Sequence, residues 1–427
     1  MAGGRSLRGA VRVEVLLVGV ALALRLVWAL IAPTELRLDH VFNDATARGL
    51  AAGRGFTASL EPPYDPAVFR TPGYSAFVAL VYAVCGPSVR AVFVVQALLD
   101  TATCALVGRL AARRLGTRAG CVALALAATY PFTIHAVGRL SAETPLVLLA
   151  AVTTWLADRL DARSTPRDVA LVGLATAALA WTKPVFLPLP VVLVAAERLR
   201  GRSWRTACAR GALVALVAGA LFAPWLVRNA RAFGRPVLAG ELGLVVLHGT
   251  YDFAPDRDAR IASGFDAEDA AAPPGADAAA RYEATRRRFT DSPAALARDR
   301  EHLHEGLARM RAAPLRAALL DPLRRVPRLW VSTTFVGAPP WVGWGAAAGC
   351  VAYLLLAAAG MWRLRGRLRE LAAWWLVPLV LTGAYALLHA EARYTLPARA
   401  TLLLCGAAAL AAPRNTGRPG RPDTISP

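Results

Sequence analysis

Two carboxylates, Asp39 and Asp44, lie in residues 34–75, a polar, Gly- and Pro-rich stretch between the first long apolar run of the chain and the second. Further ionisable groups stand at the ends of later apolar runs: Arg70, Glu143, Lys183, Arg228, Glu241, His389, Glu391 and Arg393. A carboxylate can take a proton from a reacting group. A guanidinium or an ammonium can hold a phosphate, the ammonium as a point charge. Gathered at one membrane face, such groups point to an enzyme working at that face. Asp39 and Asp44 are five residues apart, so one helix does not turn both to the same side. Each residue also has a plainer explanation. Either aspartate fits a solvated loop carboxylate. Lys183, the only lysine among 49 basic residues, fits a helix-end cation reaching for the interface. Glu143, opening a helix, fits a carboxylate satisfying unpaired amides.

The elements that must position these groups are membrane helices. Of the 427 residues 56% are hydrophobic, and apolar runs long enough to cross a bilayer recur from Val13 to Leu410. The net charge of +20 would suggest nucleic acid in a soluble protein. Here the arginines sit in short loops between apolar runs, the positive-inside pattern, and nucleic-acid binding is discounted. The fold class is therefore an all-α polytopic membrane protein. Arg5, Arg8 and Arg12 put the N-terminus inside and residues 33–75 outside. Spans follow at 13–32, 89–112, 119–138 and 143–158, with 168–197 as a hairpin of two short helices broken at Lys183-Pro184. Then come 211–227, 341–361, 371–388 and 396–411, giving ten spans in all with both termini cytoplasmic. Residues 74–86 are too short to cross about 30 Å of hydrocarbon and read as an interfacial or re-entrant helix stopped by Gly86-Pro87.

This divides the chain into an N-terminal transmembrane module, 1–227, an external segment, 228–337, and C-terminal transmembrane helices with a basic cytoplasmic tail, 338–427. The external segment carries two amphipathic stretches. Leu296, Leu303, Leu307 and Met310 mark the first; Leu315, Leu319, Leu323, Val326 and Trp330 mark the second, which is expected to lie flat on the membrane. Residues 250–295 hold few large apolar side chains and are expected to bury little core and to be mobile. The run Val13–Ala32 has the length of a span and lacks a clear cleavage site. The six cysteines show neither metal nor disulfide spacing, and nucleotide-binding and zinc-protease motifs are missing from the sequence.

The phrase from Asp39 to Phe56, with Ala47-Arg48, Leu50, Gly53 and Gly55, resembles the first external loop of GT-C class glycosyltransferases, closest to glycosyltransferase family 39, the protein mannosyltransferase and aminoarabinose transferase kind. Counting back from Ala47 places that loop's aspartate on Asp39. The likeness continues through Arg70-Thr71-Pro72-Gly73-Tyr74-Ser75, Tyr130-Pro131, Ser141-Ala142-Glu143-Thr144, Thr182-Lys183-Pro184, Trp225 with Arg228-Asn229, and Arg393-Tyr394-Thr395-Leu396-Pro397. Each motif alone is weak; in this order, and on one membrane side, they are specific. Asn43 stands where the family has a tyrosine, Thr71 and Ser75 replace two prolines, and no proline follows Pro397 within three residues. These departures touch subfamily and substrate and leave the aspartate in place.

The resemblance implies a hexosyl- or pentosyltransferase that moves a sugar from a polyprenyl-phosphate donor to a hydroxyl of a lipid, glycan or protein acceptor. The reaction would take place at the external face of a bacterial cytoplasmic membrane. Asp39 is then the general base, with inversion, and Asp44 its alternative under another register. Glu143 would orient the acceptor or, as in some members of the family, bind a divalent cation; the sequence offers no dedicated metal cage. The donor head falls to Lys183, Arg228 and Arg393, with Arg70, Tyr74, Asn229 and Tyr394 completing the substrate site. A transporter or flippase for a lipid-linked sugar is the rival class. It would place ionisable residues near the bilayer midplane, where the candidates are Arg25 and Asp100, and no internal repeat is seen.

Overall fold

The computed structural model describes residues 2–37, 39–253, 277–331 and 340–411. Among them the chain is helical throughout, with one isolated antiparallel bridge between Thr57 and Pro66. The first half comprises α1 (Ala2–Ile31), α2 (Asp39–Ala51), α3 (Gly73–Cys85), α4 (Val89–Leu115), α5 (Thr117–Ala128), α6 (Pro131–Val137), α7 (Glu143–Arg159), α8 (Pro166–Thr182), α9 (Leu189–Leu199) and α10 (Trp204–Phe233). The second comprises α11 (Leu242–Tyr251), α12 (Ala278–Arg287), α13 (Ser292–Ala312), α14 (Asp321–Trp330), α15 (Pro340–Leu364), α16 (Leu376–Leu387) and α17 (Arg399–Leu410).

This is a multi-pass helical membrane protein. Four helices are by themselves long and apolar enough to cross a bilayer: Val11–Ile31, Val89–Leu115, Trp204–Phe233 and Gly343–Arg367. The bent pair α5–α6 makes a fifth candidate, turning by 52° where Pro131 withholds its amide. The other expected spans are present as shorter helices, so length and composition do not by themselves single out ten. Helix α8 begins at a capping box in which Thr165 and Asp168 satisfy each other's backbone. It ends at Lys183, whose extended backbone is what a following proline imposes, and α9 resumes after a short turn at Pro184–Phe186. The break falls where the sequence placed it. So does the end of α3 after 13 residues, at Gly86 with φ of 73°.

The bundle has two main cores. One joins α7, α8, α9 and α16 around Leu146, Leu179, Phe186 and Leu381; the other joins α4, α5 and α17 around Leu110, Leu124 and Leu404. Small residues set the closest crossings, since a Cβ on Gly120 of α5 would come 2.6 Å from that of Ala112 on α4. Inside the bundle, Arg25 of α1 is fully buried and donates to Asp100 at 2.6 Å, to Thr133 and to the carbonyls of Ala21, Ala127 and Ala128. Both midplane candidates are thus consumed in an interhelical contact.

The segment expected to be external packs α11 against α13, and α12 against α2. Residues 254–276, half of the stretch expected to be mobile, lie outside the described residues. Its remainder buries more than composition suggested: Phe289 sits 5.1 Å from Phe42 and 5.0 Å from Phe69 in an aromatic cluster. Of the second amphipathic stretch, Leu315, Leu319 and Leu323 are exposed together, while Val326 and Trp330 pack on the core.

Candidate active site

Helix α2 puts Asp39 in its first turn, where a carboxylate is favoured by the free amides. The helix is stopped by Gly53 and Gly55, both at positive φ, and a side chain on Gly49 would collide with the Thr57 carbonyl at 2.8 Å. The phrase Ala47 to Phe56 is therefore a helix end folding back on itself. From Asp39, Arg70 lies at 2.7 Å and Arg393 at 3.9 Å; Arg70 also reaches Glu241 at 3.2 Å, and Arg393 pairs with Glu391. The carboxylate keeps 19% of its side-chain exposure, so a ligand can reach it.

Lys183 enters from the break between α8 and α9. Its ammonium stands over the ring of Tyr394 at 4.5 Å and that of Tyr385 at 5.9 Å, and the two tyrosines stack. Glu143, Arg70, Glu241 and Arg393 are all within its electrostatic reach. The place of Lys183 is fixed by backbone. A Cβ on Gly73 would meet the carbonyl carbon and oxygen of Trp181 at 2.6 Å, and Thr71 donates to the Thr182 carbonyl at 3.2 Å. The Arg70–Gly73 and Thr182–Pro184 motifs are two halves of one joint that sets guanidinium beside ammonium. Glu143, at the start of α7, is buried, and its Oε2 has no hydrogen-bond partner among the described residues.

The electrostatics sort the acids. Burial pushes Asp39 up, but Arg70 and then Arg393 more than reverse this and hold it below the usual carboxylate range. Glu241, sharing the same Arg70, is left raised by burial. His40 is driven down to about 4 by burial and by Arg139, so it is neutral at pH 7. His389 goes the other way: burial lowers it, and its hydrogen bonds with Asp252 and Glu391 raise it further than that. Among the described residues no group of three or more His, Cys, Asp or Glu side chains is placed to hold a metal ion.

Asp39, Arg70, Glu143, Lys183, Arg393 and Tyr394 thus come together. The other expected residues do not join them. Asp44 is sealed on the opposite side of α2, accepting from Arg48, Tyr82 and Tyr282. Tyr74 donates to Gln96 inside the bundle. Arg228 spends its guanidinium on the carbonyls of Phe56 and Ala67 and on Asn229, which itself donates to the Val237 carbonyl. Arg139 and Tyr385, which sequence reasoning passed over, belong to the site: Arg139 is within electrostatic reach of Glu143, Arg393 and Asp39. The available signal was an arginine between spans on the side where the positive-inside pattern expects none.

A family model described as dolichyl-phosphate-mannose-protein mannosyltransferase matches residues 69–227. No curated protein matches the chain. Among solved structures, the Archaeoglobus fulgidus oligosaccharyltransferase tethered with an acceptor peptide containing the NVT sequon aligns with a TM-score of 0.55 at 12% identity, over 94% of this chain and 49% of that one. The archaeal oligosaccharyltransferase AglB from the same organism, in complex with an inhibitory peptide and a dolichol-phosphate, aligns at 0.55 and 10% identity over 94% and 50%. ArnT from Cupriavidus metallidurans bound to undecaprenyl phosphate aligns at 0.45 and 16% identity over 93% and 77%. At such identities the likeness is one of fold, and the chain spans about half the length of the archaeal enzymes. The resemblance to GT-C glycosyltransferases read from the motifs holds in both the family match and the fold. The matched stretch contains Arg70, Glu143 and Lys183; Asp39, Arg228 and Arg393 lie outside it.

Proposed function

We propose that this chain, which matches the mannosyltransferase family over residues 69–227, is a membrane glycosyltransferase that moves a sugar from a polyprenyl-phosphate donor to an acceptor hydroxyl at the external face of the cytoplasmic membrane. The observation that carries this reading is the convergence of Asp39, Arg70, Glu143, Lys183 and Arg393, from five separated segments, around one partly open carboxylate.

Lys183 rests on aromatic rings, an arrangement that leaves ammonium donors for a donor phosphate. Arg70 and Arg393 turn to the same phosphate when it enters, and Asp39, relieved of part of their charge, becomes a stronger base as the donor arrives. The acceptor oxygen then attacks the anomeric carbon. The bond to the phosphate oxygen breaks with its electron pair, polyprenyl phosphate leaves, and the acceptor proton goes to Asp39. One base and one displacement invert the anomeric centre. Glu143, with its unpartnered Oε2, orients the acceptor. Arg228 and Asn229 act at a distance with Trp225, tying the carbonyls of Phe56 and Ala67 and those of Val237 and Leu238 to the end of α10. The satisfied Arg25–Asp100 pair gives a transport path no support.

The test is to incubate membranes containing the chain with labelled polyprenyl-phosphate sugars and follow the label into lipid, glycan and protein fractions. Label passing into one fraction, and not in membranes carrying Asp39→Asn, is the expected result. Label that crosses the membrane still attached to its lipid would select the flippase class instead.

A further inference from the structure

At the far end of the bundle from Asp39, four loop-proximal segments meet. Helix α1 spans the distance: Glu14 near its start faces Arg109 at 3.7 Å, and Asp39 follows its other end, about 25 Å of helix rise away. Between the C-terminal ends of α4, α7 and α9 and the turn before α16 lies a cleft of about 520 Å³. Six arginines and three carboxylates line it. The carboxylates are already committed. Asp158 is fully buried and takes the Nε–H of Arg114 on both oxygens at 2.9 Å. Asp161 is used within its own turn by the Arg163 amide and Ser164, and Glu370 by Arg367 and Arg114. Arg200 is committed as well, to the Ala157 and Asp158 carbonyls and to Glu197.

Arg159, Arg202 and Arg369 form no ion pair or side-chain hydrogen bond with a carboxylate among the described residues, although Arg202 is within electrostatic reach of Asp161 and Arg159 of Asp168. Arg159 rests on the Trp155 ring at 4.6 Å, Arg369 is exposed at the rim, and the Nε–H of Arg202 is buried without a hydrogen-bond partner among the described residues. Arginines that merely orient a membrane protein need only stand in loops. Here they line a shared concavity with an unsatisfied donor inside it, and the helix ends around it are carbonyl ends, which hold cations and do not themselves attract anions. The cleft opens where membrane helices end, and Leu199, 55% exposed, offers an apolar edge beside it.

We propose that this cleft binds the phosphate of an anionic phospholipid headgroup from the leaflet opposite the candidate active site, with Arg159, Arg202 and Arg369 as the binding cations. A phosphate oxygen takes the free Arg202 donor, and the acyl chains leave along Leu199. Basic pockets between membrane helices on the cytoplasmic side recognise anionic lipid in this way.

The purified full chain, in mild detergent, would be titrated by native mass spectrometry with phosphatidylglycerol, with phosphatidylcholine and with inorganic phosphate. We expect phosphatidylglycerol to be retained preferentially, with one tight site per chain. Removing one arginine should weaken that site about fivefold, so R202Q/R369Q should weaken it about 25-fold. If the double variant does not accumulate, R369Q alone, at an exposed position, carries the test at about fivefold. Equal retention of the two lipids, or undiminished phosphatidylglycerol binding in the variants, would overturn the proposal. Inorganic phosphate occupying the site as well as phosphatidylglycerol does would assign the cleft to a soluble phosphate and overturn the lipid reading.

Discussion

Helix α2 carries two aspartates five residues apart, and they lead different lives. Asp39 faces a mixed cluster in which every partner is shared: Arg70 with Glu241, Arg393 with Glu391. Asp44, with no side-chain exposure, is held by two tyrosines and the arginine one turn on, and Tyr282 among them belongs to α12. A carboxylate saturated by fixed donors is a fastener. One held by cations that have other carboxylates to turn to can change its proton affinity when a ligand takes those cations away. On the proposed reading, identical side chains on one helix serve chemistry or assembly according to whether their partners are shared with other carboxylates.

Exchanging the two for asparagine should show the contrast at its largest. Asp39→Asn is expected to lose about 10²- to 10⁴-fold in sugar transfer while keeping donor binding. Asp44→Asn is expected to transfer at near wild-type rate per folded molecule; the reverse ranking would break the comparison. Next comes Lys183→Gln, where losing a charge-assisted contact to phosphate should weaken donor binding by about 10- to 100-fold, read as KM for the donor against kcat. Asp44→Asn should then lower stability by about 1–3 kcal/mol through its stranded partners, and a thermal melt in detergent measures it. The smallest effect is in pH. Because Arg70 helps hold Asp39 below the usual carboxylate range, Arg70→Gln should shift the acid limb of the transfer profile to higher pH, whatever happens to its plateau. The sign carries over to stability: a depressed carboxylate contributes above its unfolded pKa and loses that contribution as pH falls through the folded value, so the variant should lose less stability on acidification.

How much of this was legible depends on how local the cause was. Helix ends at Gly86 and Lys183 could be read directly, since a glycine or a following proline acts on its own backbone. Asp39, Arg70, Lys183 and Arg393 stood out as ionisable groups at the ends of apolar runs that also fall in motifs resembling one family. The use of Arg228 was hidden: its spacing marks a helix end, but backbone carbonyls at Phe56 and Ala67 leave no side-chain signature. Phe289 was missed for a related reason. It is a lone aromatic in a polar stretch, and its neighbours Phe42 and Phe69 are supplied by a distant part of the chain.

The Arg25–Asp100 pair bears on the order in which the protein is assembled during synthesis. When α1 enters the bilayer, neither α4 nor the α5–α6 corner has been made, and an unpartnered arginine near the middle of a span costs about 2.5–3.5 kcal/mol on insertion scales. That helix is therefore poorly settled until Asp100 and the carbonyls of Ala127 and Ala128 arrive to take its guanidinium. The first three candidate spans, α1, α4 and the α5–α6 pair, are in this way expected to settle in the bilayer as a group, before Glu143, Lys183 and Arg393 have been translated.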